Sequence, residues 1–179
     1  VGRSYPNGSG SAAALFGHPL HPLIVPIPIG AFALAFVSDL FGITTGGPLW
    51  AGISFFLLAA GLIGGLLAAV FGIVEMMGVR RARTMGIGWA HGAVNVLMLA
   101  VAFFSLLLRR EGWGTDNPPV LMPHVISSGV AFLLLLVAGW LGGELSYRHG
   151  VGVSEAVGSD REDGDLELTP AGRPDIGKR

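Results

Sequence analysis

Cysteine is absent from the 179-residue chain. That absence excludes disulfides, thiolate metal sites, cysteine-ligated iron–sulfur clusters and cysteine nucleophiles. Charge is nearly as scarce: Asp, Glu, Lys and Arg make up 13% of residues, against roughly 25% in ordinary soluble domains. The formal net charge of −1 conceals a segregation, because seven of the twelve acidic residues lie after Val153. Only Asp39, Glu75, Glu111, Asp116 and Glu144 remain as acids in the body, and every basic residue there is an arginine. A body this poor in charge cannot present a normal wet surface, and lipid is its natural solvent. With few arginines and no basic–aromatic surface, nucleic acid is not an expected partner.

What fills the chain instead is apolar sequence. Four long stretches, at about residues 22–43, 49–79, 86–108 and 123–147, are separated by short connections rich in Gly, Pro and charge. At 1.5 Å rise per residue, more than twenty helical residues cover a hydrocarbon core of roughly 30 Å. A soluble helix would show polar residues every three or four positions, and the run from Phe55 to Val74 shows almost none. The sequence therefore predicts an all-α integral membrane protein, a four-helix transmembrane bundle occupying residues 18–153. Residues 1–17, rich in Gly, Ser and Ala, read as a flexible leader without the charged-then-apolar order of a secretory signal. Residues 154–179, acidic and without apolar period, read as a disordered tail.

Orientation follows from arginine bias. The face holding the N-terminus, the connection at residues 78–86 and the C-terminus, called side A, carries Arg3, Arg80, Arg81, Arg83 and Arg148. Side B carries Arg109 and Arg110 beside Glu111 and Asp116. Side A is thus expected to face the cytoplasm, with both termini inside the plasma membrane (the inner membrane, where there are two). Trp50, Trp89, Trp113 and Trp140 lie near span ends or within two turns of one, where amphipathic rings favour the headgroup zone. Gly61, Gly65, Ala68, Ala69 and Gly72 form a small-residue stripe on the second span, and Gly139 with Gly143 a pair on the fourth, the pattern that lets helices approach closely in lipid.

Ionisable groups inside a membrane protein are costly and are candidates for function. His18 and His21 precede the first span at side A, Glu75 closes the second there, and His91 lies about a turn and a half into the third. Glu144 and His149 end the fourth span at the same side. Imidazole and carboxylate together suit iron, zinc or manganese, so His18, His21, Glu75, His91, Glu144 and His149 form one candidate metal layer. A b-type haem would instead need two histidines on different helices, His91 against His21 or His149, with His18 as a further candidate. Asn95, four residues after His91, shares its face and is placed to orient the imidazole. The bland readings pair Glu75 with Arg80 or Arg81, and Glu144 with Arg148 at helical spacing. They make Asp39 a cap of loop structure before the glycines at 42–47, and leave His124 without a partner. Pro19 and Pro22 favour a loop around His18 and His21, and Pro22, Pro26 and Pro28 predict an irregular start to the first span.

The run GHPLHPLIVPIPIGAFALAFVSDLFG, the later GGPLW, the WAHGAVN start of the third span and the closing GWLGGELSYRHGVGV resemble a bacterial family of four-helix membrane proteins known as domain of unknown function 2231. The resemblance covers roughly residues 17–153, and its motif positions are His18, His21, Asp39, His91, Asn95, Glu144 and His149. It implies the four-helix fold and carries no activity. Some members are joined to, or encoded beside, Rieske-type iron–sulfur proteins, which implies a link to electron transfer.

Two functional classes follow. One is a non-enzymatic redox subunit whose side A histidines hold a b-type haem or a transition-metal ion. The other is a cofactor-free structural or partner-binding subunit in which the same groups form a hydrogen-bonded lid. Expected partners are the lipid bilayer, a Rieske-type or other electron-transfer protein, and further copies of the chain. A metalloenzyme or transporter ranks third, since no HExxH motif is present and no inverted repeat relates the halves.

Overall fold

The computed structural model describes residues 12–16, 18–112 and 119–151. Most of the expected leader and the acidic tail lie outside these described residues. Prolines set where the helices begin. A short helix, α1 (Leu20–Ile24), breaks at Val25 and restarts as α2 (Pro26–Thr45), with Pro26 in its first turn. Proline at the first helical position loses only an amide that the helix would leave unpaired, and its fixed φ suits the turn. The irregular start that Pro22, Pro26 and Pro28 predict is this break. It also corrects one expectation, because His21 sits inside α1 rather than in a loop. α2 ends at Gly46, whose φ of 66° is left-handed and whose N–H closes onto Gly42 O.

α3 (Pro48–Gly78) again opens on proline, and a short α4 (Arg80–Thr84) connects it to α5 (Gly86–Leu108). A 3-10 turn at Arg110–Gly112 follows, then α6 (Met122–Gly143) and a π turn at Glu144–Arg148. The four long helical segments coincide with the four sequence-predicted spans to within a few residues. At 31 residues, α3 is about 46 Å long and exceeds the roughly 30 Å hydrocarbon core, so it tilts or projects.

The helices form two hairpins, α2 with α3 and α5 with α6, joined along the α2–α6 and α3–α5 seams. At their centre lie Phe32, Leu58, Met98, Ala102 and Leu135. Glycines open the space between them: a Cβ on Gly61 would stand 2.7 Å from the Phe32 ring, and one on Gly65 2.6 Å from Leu99. The outer faces stay apolar, with Phe56 at 73% and Ile63 at 63% exposure. Water would penalise such a surface, and hydrocarbon does not. The chain is a multi-pass membrane protein with four candidate spans.

Before α1, a two-stranded antiparallel hairpin pairs β1 (Ala14–Leu15) with β2 (His18–Pro19). The segment expected as leader is therefore folded at its end. Glu75 reaches it, its carboxylate accepting the N–H groups of Ala12 and Ala13 at 3.0 and 3.2 Å.

Candidate functional site

At side A, two histidines on different hairpins approach each other. Their ring centroids are 6.5 Å apart and their planes are inclined by 85°. Each ring is tied across its own hairpin: Nδ1 of His21 lies 2.8 Å from Ala68 O on α3, and Nδ1 of His91 lies 3.0 Å from Ala138 O on α6. A carbonyl only accepts, so both Nδ1 atoms carry the proton and donate. In the neutral tautomer this leaves Nε2 of each ring with its lone pair.

The same two helices carry the space for the rings. A Cβ on Gly72 would stand 3.1 Å from the His21 ring, and one on Gly142 3.1 Å from that of His91. Gly139, expected as part of a packing pair with Gly143, meets nothing within 4 Å. The glycine that matters on the fourth span is Gly142, one residue off that register. Asn95 Nδ2 donates to His91 O at 2.8 Å and stands 3.2 and 3.4 Å from the two ring nitrogens. Asn95 Nδ2 is thus within hydrogen-bond reach of the ring, nearer Nε2 than Nδ1, and is placed to donate to the Nε2 lone pair.

The other side A candidates are engaged elsewhere or exposed. His18 is exposed in β2. Glu75, expected beside Arg80 or Arg81, holds the β hairpin as described. Glu144 pairs with Arg148 at 3.3 Å, as its spacing predicts, and His149 caps the π turn through its main chain. Among the described residues no three of His, Asp and Glu come together as a group able to hold a metal ion. Of the alternatives for a facing pair, His21 with His91 meets and His149 with His91 does not.

Side B, which the charge pattern leaves nearly bare, holds a buried polar cluster. Asp39 is fully buried and Arg109 is 7% exposed. They form a salt bridge between α2 and the end of α5. This corrects the expectation that Asp39 caps a loop, and it takes Arg109 out of solvent. The Arg109 guanidinium also donates to Ser105 O at 2.8 Å, to Ser105 Oγ, and more loosely to Ser54 Oγ and His124 O. Ser128 Oγ donates to Asp39 Oδ2 at 2.6 Å, and Oδ1 of Asp39 is buried without a hydrogen-bond partner. Burial pushes the Arg109 pKa below its ordinary value, opposed by the charge and hydrogen bond of Asp39. His124, expected to lack a partner, accepts Leu121 N–H at Nδ1, the role an N3 side chain plays in a capping box. An unpaired Asp39 or Arg109 would be prohibitively costly in a bundle core, so each requires the other. No sequence spacing signals this pair, because its partners are 70 residues apart.

No curated protein and no solved structure matches the chain. The family expectation raised by the His-Pro-x-His-Pro and Tyr-x-His-Gly-Val-Gly-Val motifs is met by a match over residues 17–155, which takes in all four spans and both histidines of the facing pair. The chain belongs to the family described as predicted membrane protein (DUF2231).

Proposed function

We propose that this protein is a membrane redox subunit that holds a b-type haem between His21 and His91. The observation that carries the reading is the matched pair of rings, each fixed through Nδ1 to a main-chain carbonyl and 6.5 Å apart. Metal-bound histidines ordinarily donate their other ring N–H to a carbonyl or carboxylate, which fixes both tautomer and ring orientation.

The donor count favours haem over a bare ion. Two imidazoles alone would leave a zinc or iron ion short of ligands, whereas a haem would need from the protein only the two donors that His21 and His91 could supply. When bound, the haem supplies one-electron transfer. The chain's residues would orient the two donors, with Gly72 and Gly142 leaving room for the rings and Asn95 hydrogen-bonded beside His91. In this reading side A faces the cytoplasm, as its arginines favour, and the electron partner is an iron–sulfur or other electron-transfer protein.

The test is an absorbance spectrum and elemental analysis of protein purified from its native membranes. The expected result is a Soret band at one haem per chain, lost in both His21→Ala and His91→Ala and retained in His149→Ala. Wild-type protein with no Soret band, from membranes that hold haem proteins, overturns the reading in favour of a cofactor-free subunit. Stoichiometric zinc or iron without that band would do so in favour of a bare-ion site.

A further inference from the structure

The two ring anchors share a number. His21 to Ala68 and His91 to Ala138 each span 47 residues, and His21 to His91, Ala68 to Ala138 and Gly72 to Gly142 each differ by 70. The same shift carries Asp39 onto Arg109. It also carries one buried face onto another. Among buried positions, Pro28, Phe32 and Ala35 of α2 fall on Met98, Ala102 and Ser105 of α5. Ser54, Leu58, Gly61 and Gly65 of α3 fall on His124, Ser128, Ala131 and Leu135 of α6. Helix packing repeats likewise, since exchanging α2 for α5 and α3 for α6 turns the α2–α6 seam into the α3–α5 seam. α2 and α5 run from side A to side B and α3 and α6 return, so the relation is a two-fold rotation about the membrane normal. The sequence shows no inverted repeat; this one is parallel.

We infer that the chain is two copies of one helical hairpin fused in tandem, and that Asp39 and Arg109 make the two copies pair with each other rather than with their own kind. They are one position of the hairpin, brought face to face with its own image. Two like hairpins would bury Asp against Asp or Arg against Arg there, an uncompensated double charge in a low-dielectric core. Opposite charges satisfy this position and bar the like pairing. The surface that fits hairpin one is thus a hairpin of the same shape carrying arginine at the position of Arg109. At side A the same frame makes the histidine pair one site with one donor from each copy, so its ligand meets two equivalent imidazoles. That clause rests on the haem reading above; the pairing of the hairpins does not.

The repeat predicts something an isolated ion pair does not: the charges and their hydroxyl partners are movable together by 70 residues. In the full chain, Asp39→Arg and Arg109→Asp singly should lose most of the monodisperse protein recovered in detergent. The double variant D39R/R109D should recover a large part of it. Its hydroxyl partners then stand on the wrong copies. Ser105 serves Arg109 and Ser128 serves Asp39, and their images are Ala35 and Leu58. Adding Ala35→Ser and Leu58→Ser to the double variant should raise its melting temperature, whereas in the wild-type background Leu58→Ser should lower it. A double variant no better than either single one, or serines that lower stability in both backgrounds, would overturn the inference. Loss of the haem reading alongside a successful rescue would leave the paired hairpins standing.

Discussion

Gly142 and Gly139 lie one turn apart on α6 and differ in what faces them. A methyl group at 142 would press on the His91 ring at 3.1 Å, while one at 139 would enter open space. Overpacking of this kind costs about 1–3 kcal/mol, whereas alanine for glycine in a helix interior gains up to about 1 kcal/mol. Gly142→Ala is therefore expected to lower the melting temperature in detergent and to diminish or shift any Soret band, and Gly72→Ala to do the same. Gly139→Ala should be neutral or slightly stabilising. Equal behaviour of the variants at 139 and 142 would remove the role given to the glycine seats. The residue scale is also where sequence reading reached least far. The depth of the side A histidines was legible, because distance along an apolar run measures depth. Which histidine met His91 was not, since that depends on how the hairpins dock. Asp39 and Arg109 were each read alone, because opposite charges 70 residues apart carry no local period.

The elements themselves were nearly all legible. Apolar length gave the four spans, and the crowded prolines gave the irregular start of the first. What the sequence hid was that the hairpins are copies. The burial register is kept while volumes are traded, Phe32 for Ala102 and Gly65 for Leu135, and charge is inverted at Asp39 and Arg109. Packing preserves complementarity, not identity, so a repeat can persist in burial after it has faded from the letters. The β hairpin was also missed, for it depends on Glu75 meeting Ala12 and Ala13 more than 60 residues away. Replacing Glu75 by Ala should free that hairpin. Limited proteolysis should then cut around Ala12–Phe16 at lower protease concentrations than in wild type, with spectral properties unchanged. A simultaneous loss of bound metal or haem would instead tie Glu75 to the ligand site.

For the molecule as a whole, the two-fold relation leaves the two ends of the bundle chemically unlike. Side A brings together two imidazoles, one from each hairpin, and side B a compensated ion pair. A tightly buried pair with its serine hydroxyls resembles a structural lock, while facing imidazoles each anchored through Nδ1 resemble a ligand site. Which compartment sees each end then decides where electrons would enter. The cytoplasmic side A proposed above rests on the arginine count, and burial of Arg109 strengthens that bias by taking one side B arginine away from the surface. The absence of cysteine makes the assignment directly measurable, because any introduced thiol is the sole target for labelling. Tyr147 at side A is 90% exposed, and Thr44 at side B is exposed at the end of α2. In intact cells a membrane-impermeant maleimide should label Thr44→Cys and spare Tyr147→Cys until the membrane is permeabilised. The reverse pattern would place the histidine pair on the outer face, and with it any electron partner.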